Sequence, residues 1–279
     1  MDVLIIGAGT MGSGIAQTLV VAGHRAYLTD PDGTALGRAQ ERIRTNLVRE
    51  QERGRLVEPV DSLMTRLDTT RELLANPVDW VIEAAPEQAS LKQKIFHDLD
   101  RHYPPSVWLA SNTSSIAISH LASQANRYPN RLGGLHFFNP VPRMALVEVV
   151  PGLDTSADFV TAAHQLIESL GKTGITVPDR PGFLVNRVAR PYYLEALRMV
   201  DEGVASLESV DRVMQGAGFP MGPFRVIDLV GVDVNYAVTQ SVYTETHGDE
   251  RYRPHPWQEQ LVLRGYLGKK SGRGFYQYD

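Results

Sequence analysis

The chain has 279 residues, of which 43% are hydrophobic and 22% charged, and its 28 basic and 32 acidic side chains leave a net charge of −4. That length suits two domains or one large one, the composition is that of a packed globular protein, and no overall positive field exists to gather nucleic acid or an anionic membrane. Cysteine is absent, which removes disulfides, thiolate metal sites and thiol nucleophiles together and suits a reducing compartment such as the cytoplasm.

The stretch 3–23 carries no charge, yet it reads as neither an export signal nor a membrane span. Gly7, Gly9, Gly12, Gly14 and Gly23 dilute its apolar character, and Asp2 stands where a signal would place a cation. Short β-rich runs at 2–6, 25–29, 78–83, 106–111 and 175–178 alternate with helical stretches, and 132–138 with 145–150 form a further candidate pair. Alternation of this kind predicts βαβ units and a buried parallel sheet. Helices are expected at 11–22, in an insertion near 34–58 whose clearest part is 37–55, and over 155–170. In the last, Phe159, Val160, Ala163, Leu166, Ile167 and Leu170 share one face, with Thr155 as N-cap and Gly171 as the stop. Asp179-Arg180-Pro181-Gly182 marks a junction, so domains are expected at 1–181 and 182–279. Beyond it Val185, Val188, Ala189, Tyr192, Tyr193, Ala196, Leu197 and Val200 trace one apolar helical stripe through Pro191, wide enough to serve a subunit interface as well as a core. Residues 265–279 read as a Gly- and Tyr-rich tail packed on other elements.

Gly7-Ala8-Gly9-Thr10-Met11-Gly12 fits G-x-G-x-x-G between the first strand and the first helix. The first glycine permits the tight turn, the second lets backbone approach a pyrophosphate, and the third lets helix pack on strand, with the phosphates facing the helix N-terminus. Asp30 ends the next strand, where an acid would bind the adenosine ribose hydroxyls and repel a 2′-phosphate. The combination predicts NAD rather than NADP; otherwise the glycines shape a turn and Asp30 is a surface acid.

His136 and, twelve residues later, Glu148 lie in apolar runs. A carboxylate there is costly to bury unless paired, and a histidine is a fitting partner. Oxidising a secondary alcohol needs a base for the hydroxyl proton, an imidazole titrates near pH 6.5, and the acid would fix its tautomer. The alternatives are a satisfied core histidine and an edge-strand Glu facing solvent. Asn112-Thr113-Ser114-Ser115 follows a strand, hence lies at the carboxyl edge of the sheet where ligands bind in such folds, or merely caps the next segment. Asn186 opens the long helix and either reaches a ligand or is a simple N-terminal polar residue.

Seven ordered motifs span nearly the whole chain: the glycine motif from Gly7, Ser-Asn-Thr-Ser-Ser from Ser111, His-Phe-Phe-Asn-Pro from His136, Leu-Val-Glu-Val from Leu146, Pro-Gly-Phe-Leu-Val-Asn-Arg from Pro181, Pro-Met-Gly-Pro-Phe from Pro220 and Gly-Lys-Lys-Ser-Gly-Arg-Gly-Phe-Tyr from Gly268. Together they resemble the L-3-hydroxyacyl-CoA dehydrogenase family. The resemblance implies a Rossmann-type doubly wound parallel sheet followed by a smaller all-helical domain that carries substrate contacts and a homodimer interface. It implies NAD-dependent, reversible oxidation of an L-3-hydroxyacyl-CoA, short-chain as in 3-hydroxybutyryl-CoA, with His136 as base, Glu148 as its orienting partner, and Ser114 and Asn186 on the substrate's oxygens. Cofactor contacts are implied for Gly7, Gly9, Thr10, Met11, Gly12, Asp30, Glu87, Lys92, Ser114, Asn139 and Lys270. The positions that hold the CoA portion in the family correspond to Asn46 and Arg53, on a segment where Arg38, Arg42, Arg44, Arg49, Arg53 and Arg55 face only Glu41, Glu50 and Glu52. That segment is either a phosphate-binding patch or a solvated face laced with ion pairs. The remaining histidines show no metal-ligand spacing, and no metal site is predicted. Rival readings are a dehydrogenase of the same fold acting on a free 3-hydroxy acid, such as a sugar acid or carnitine, and a non-catalytic NAD-binding protein.

Overall fold

The computed structural model describes residues 1–76, 78–122 and 127–278. The final residue of the sequence-predicted tail, Asp279, lies outside them. The chain divides into two compact units, Met1–Arg180 and Pro181–Asp279.

In chain order the first unit contains β1 (Asp2–Ile6), α1 (Thr10–Val21), β2 (Arg25–Thr29), α2 (Gly33–Glu52), α3 (Val60–Met64), β3 (Leu67–Thr70), β4 (Trp80–Glu83), α4 (Ala89–His102), β5 (Trp108–Ser111), α5 (Ile118–Ala122), β6 (Leu132–Phe137), β7 (Leu146–Pro151), α6 (Ala157–Ser169) and β8 (Thr173–Thr176). The strands form one eight-stranded sheet in the order β3-β2-β1-β4-β5-β6-β7-β8. All neighbours are parallel except β6 and β7. The order reverses between β1 and β4, the switch point at which doubly wound sheets bind ligands. Central strands are apolar because both of their faces are covered: Val3, Leu4, Ile5, Val81 and Ile82 are fully buried. At the start of β4 and β5 the core is aromatic, with Phe159 of α6 edge-on to Trp80 at 5.4 Å and to Trp108 at 5.9 Å.

Several boundaries differ from the sequence reading. The edge strand β3 was not predicted, since Leu-Asp-Thr-Thr offers one apolar residue and an edge needs no apolar run. At the other edge β8 begins and ends two residues earlier than the predicted 175–178 run, whose Pro178 has no N–H for a ladder. The cap of α6 is Ser156, whose Oγ accepts from Phe159 N at 3.2 Å. Thr155 instead donates through Oγ1 to Leu132 O at 2.5 Å, tying the loop to β6. In the insertion expected near 34–58 the structure has one long helix, α2, ending at Glu52, and the short α3 follows it.

The second unit is helical: α7 (Val185–Asp201), α8 (Leu207–Gly216), α9 (Pro223–Val230), α10 (Val232–Glu245) and α11 (Pro256–Leu263). Helix α7 continues through Pro191. Two acids anchor the tail. Asp228, fully buried, accepts from Phe275 N and Tyr276 N at 2.9 Å each and from Tyr278 Oη at 3.0 Å. Asp211 accepts from Tyr276 Oη at 2.8 Å and from Phe224 N at 2.9 Å, so it also caps α9. Among the described residues, no helix is long and apolar enough to cross a membrane.

Candidate active site

The glycine turn joins β1 to α1, and its three glycines differ in what surrounds them. Gly7 has φ +105°, and a Cβ there would lie 2.6 Å from Ala84 O. At Gly12 a Cβ would sit 1.8 Å from Gly7 O, so only hydrogen lets α1 close on the turn. Around Gly9 a Cβ would meet nothing within 4 Å. The middle glycine therefore faces open space at the N-terminus of α1, where the first turn presents backbone N–H groups, and this geometry fits a pyrophosphate. Asp30 closes the turn from β2: Oδ2 accepts from Ala8 N and Oδ1 from Asp32 N, each at 2.9 Å. A pocket of about 200 Å³ opens beside it, lined by Ile6, Thr29, Pro31 and Arg71, with room for the adenosine end of a dinucleotide.

Arg42 buttresses the same turn. From α2 its Nη2 donates to Ala8 O at 3.1 Å, Gly9 O at 3.3 Å and Ser13 Oγ at 2.7 Å. The sequence reading counted Arg42 only as part of a charged patch; its spacing resembles that of any exposed helix face. Of the residues expected to hold CoA, Asn46 donates to Gln17 Oε1 at 3.3 Å and Arg53 to Glu50 Oε1 at 3.0 Å. Both line a groove of about 730 Å³ that also exposes Arg49, Arg55, Arg143 and Lys172.

A buried ionic network lies where β4 and β5 end. Lys92 of α4 donates to Glu83 Oε1 at 2.6 Å and approaches Glu87 Oε2 at 3.3 Å, with Lys92 at 1% and Glu83 at 0% exposure. Glu83 also accepts from Ser111 Oγ at 2.6 Å. One oxygen of Glu87, Oε1, accepts from Thr113 Oγ1 at 2.6 Å, Ser114 N at 2.9 Å and Ser115 N at 3.2 Å, which folds the Ser/Thr run around it. Burial pushes the Glu87 carboxyl up, but the Lys92 charge and the bonds from Thr113, Ser114 and Ser115 outweigh it and hold its pKa below the usual value. Glu87, Lys92 and Ser114 are thus brought together. Glu83 and Ser111 were missed as members of this group; the available signal was an acid ending an apolar strand.

His136 and Glu148 sit opposite one another in the antiparallel register of β6 and β7. Residues so paired have their side chains on the same face of the sheet. His136 Nδ1 donates to Glu148 Oε2 at 2.6 Å, with Glu148 fully buried and His136 at 6% exposure. Glu148 is no edge residue, because β8 covers the far side of β7. Asn112 steadies the end of β6, its Oδ1 accepting from Phe137 N at 2.9 Å. Asn139, two residues on, is exposed. In the helical unit Asn186 occupies the first turn of α7, and Lys270 donates to both oxygens of Asp233 at 2.6 and 2.7 Å.

The doubly wound sheet and its open glycine turn define a dinucleotide-binding protein. Comparison with known families narrows this: residues 2–180 match the model of the 3-hydroxyacyl-CoA dehydrogenase NAD binding domain, and residues 182–278 that of the 3-hydroxyacyl-CoA dehydrogenase C-terminal domain. The chain belongs to the 3-hydroxyacyl-CoA dehydrogenase family. It is 45% identical over 279 residues to the 3-hydroxyadipyl-CoA dehydrogenase of Escherichia coli, covering 99% of this chain and 58% of that protein's length. With the probable 3-hydroxybutyryl-CoA dehydrogenase of Bacillus subtilis it shares 43% identity, covering 100% of this chain and 97% of the relative. The crystal structure of (S)-3-hydroxybutyryl-CoA dehydrogenase from Ralstonia eutropha superposes with a TM-score of 0.92 at 41% identity, over 100% and 99% of the two chains.

Proposed function

We propose that this chain is an NAD-dependent dehydrogenase of short-chain L-3-hydroxyacyl-CoA thioesters, and the observation that carries the reading is the buried 2.6 Å bond between His136 Nδ1 and Glu148. With Nδ1 committed as donor, Nε2 is the basic nitrogen of the imidazole. It takes the proton of the substrate's 3-hydroxyl, and the adjacent carboxylate stabilises the imidazolium that results. NAD, when bound, supplies the acceptor for the hydride leaving C3. Gly7, Gly9, Thr10, Met11 and Gly12 hold its pyrophosphate and Asp30 its ribose; Glu87, Lys92, Ser114, Asn139 and Lys270 are assigned to it by the resemblance. Ser114 and Asn186 hold the substrate's oxygens, and Asn46 and Arg53 the CoA portion.

The helical unit is assigned to substrate contacts and homodimer formation. Exposed apolar residues there support the second role: Val188 is 66% exposed, Leu229 58% and Leu263 81%. The lack of cysteine suits a reducing compartment, and the cytoplasm is the compartment we propose. The decisive experiment is steady-state kinetics of His136→Gln with 3-hydroxybutyryl-CoA and NAD. General-base catalysis is worth about 10² to 10⁴ in rate, so kcat falls by that order while NADH affinity, read by fluorescence titration, stays near the parent value. Turnover close to that of the parent would defeat the assignment. The free 3-hydroxy acid serves as the discriminating control.

A further inference from the structure

The two curated relatives named above differ in their acyl chains: adipyl ends in a carboxylate and butyryl in a methyl group. Helix α7 bears on which of these ends this chain accepts. Arg190 lies one turn after Asn186, on the same helical face, and is 5% exposed. Its Nη1 donates to Asn235 O at 2.9 Å and Thr239 Oγ1 at 3.3 Å, both on α10, and the cation lies 5.0 Å from the centre of the Tyr193 ring. The bracket is itself fixed: Thr239 Oγ1 donates to Asn235 O at 2.8 Å, and Gln258 Nε2 to Asn235 Oδ1 at 2.7 Å.

All of those partners are neutral. Among the described residues Arg190 Nε is buried without a hydrogen-bond partner, and no carboxylate forms an ion pair with the guanidinium. The other buried cations are paired, Lys92 with Glu83 at 2.6 Å and Arg131 with Asp100 at 2.9 Å. A guanidinium withdrawn from water without an anion is costly, and burial lowers the pKa of this one to about 10, which still leaves it charged at neutral pH.

We propose that Arg190 is the receptor for a carboxylate at the far end of the substrate's acyl chain, so that the preferred substrates are 3-hydroxy dicarboxylic acyl-CoA thioesters. The spacing suits a short chain. Four helical residues rise about 6 Å, comparable to the three carbons beyond C3 of a six-carbon diacid plus a hydrogen bond, if Asn186 holds the oxygen at the reacting end. The assignment rests on the dehydrogenase reading above, and it makes Arg190 a specificity residue rather than a catalytic one.

The test is kcat/KM of the NAD-loaded enzyme for 3-hydroxyadipyl-CoA, 3-hydroxyhexanoyl-CoA and 3-hydroxybutyryl-CoA, the first two being equal in length and different in charge. A charge-assisted contact predicts that the parent prefers the adipyl over the hexanoyl thioester by about 10- to 100-fold, expressed mainly in KM. Arg190→Met brings that ratio close to one, and Arg190→Lys, which keeps the charge but not the planar fork, leaves it intermediate. If the Met variant does not fold, the Lys variant decides, because an undiminished ratio there overturns the proposal. Equal efficiency of the parent on the two six-carbon thioesters also overturns it, as does a preference that survives in folded Arg190→Met. Loss of dimer in sedimentation of Arg190→Met with the ratio unchanged would reassign the cation to an acid of the partner subunit and overturn the proposal too. Turnover of none of the three thioesters would instead sink the dehydrogenase reading itself.

Discussion

Gly9→Ala separates folding from cofactor binding more cleanly than any change at the His136–Glu148 pair. The backbone at Gly9 has φ −71° and ψ −168°, an extended conformation open to any residue, and its Cβ would meet nothing within 4 Å. Alanine there reduces the entropy of the unfolded chain and should be neutral or stabilising by about 0.4–1 kcal/mol. Yet the methyl occupies the surface proposed to seat the pyrophosphate. Each charge-assisted backbone bond that it pushes out of reach is worth about 1.5–3 kcal/mol, so NADH should bind about 10- to 150-fold more weakly per bond lost. Gly12→Ala is the internal control, since its Cβ would lie 1.8 Å from Gly7 O and no side-chain rotation relieves a clash with backbone. Thermal melts and NADH fluorescence titrations of both variants read the two effects separately. Gly9→Ala should melt at or above the parent temperature and bind poorly; Gly12→Ala should lose stability first. A folded Gly9→Ala protein with parental NADH affinity would refute the placement of the pyrophosphate.

Other residues carry further expectations. If Asp30 holds the ribose as proposed, Asp30→Ala removes that partner together with an acid that repels a 2′-phosphate, so NAD should weaken more than NADP; an unchanged ratio of the two affinities counts against the role of Asp30. Lys92→Met strands the fully buried Glu83 and should destabilise by about 3–5 kcal/mol, a drop in Tm of at least about 6 °C for a domain of this size. The double variant Lys92→Met/Glu83→Gln should recover part of that loss, and a single variant melting with the parent would exclude a structural ion pair. Glu87 has a folded-state pKa below its unfolded value, so its contribution is complete above the unfolded pKa near about 4.3 and is lost as pH falls through the lower folded one. Melting curves from pH 6 down to 3 should therefore fall more steeply for the parent than for Glu87→Gln, and parallel curves would remove the coupling.

The central sheet was legible because parallel strands covered on both faces must be apolar throughout, as residues 3–5 are, and the glycine motif was legible because each of its positions answers a separate steric demand. The His136–Glu148 pair was only half legible. Two apolar runs with a polar residue in each suggested that the residues met, but the register that sets them opposite depends on the turn between β6 and β7 and on packing against β8, neither of which leaves a local mark. Glu83, Glu87 and Lys92 meet Ser111 and the run 113–115 only when β4, the turn into α4 and the end of β5 converge, so their spacing showed no network.

Helix α7 marks the limit of pattern reading differently. Its apolar stripe includes Val188, which the structure leaves 66% exposed, while Arg190, outside the stripe, is buried. Hydrophobic periodicity reports which face avoids water without saying what covers it. A helix that leaves a valine uncovered and inserts a cation among neutral groups is not explained by the packing of its own unit. The exposed valine calls for an apolar surface such as a second subunit, the buried cation for an anion. Both proposed partners, a second subunit and a substrate carboxylate, are argued from this one helix, and only the apolar face has a signature in the sequence, because an unpaired buried charge is a property of the fold and not of any spacing.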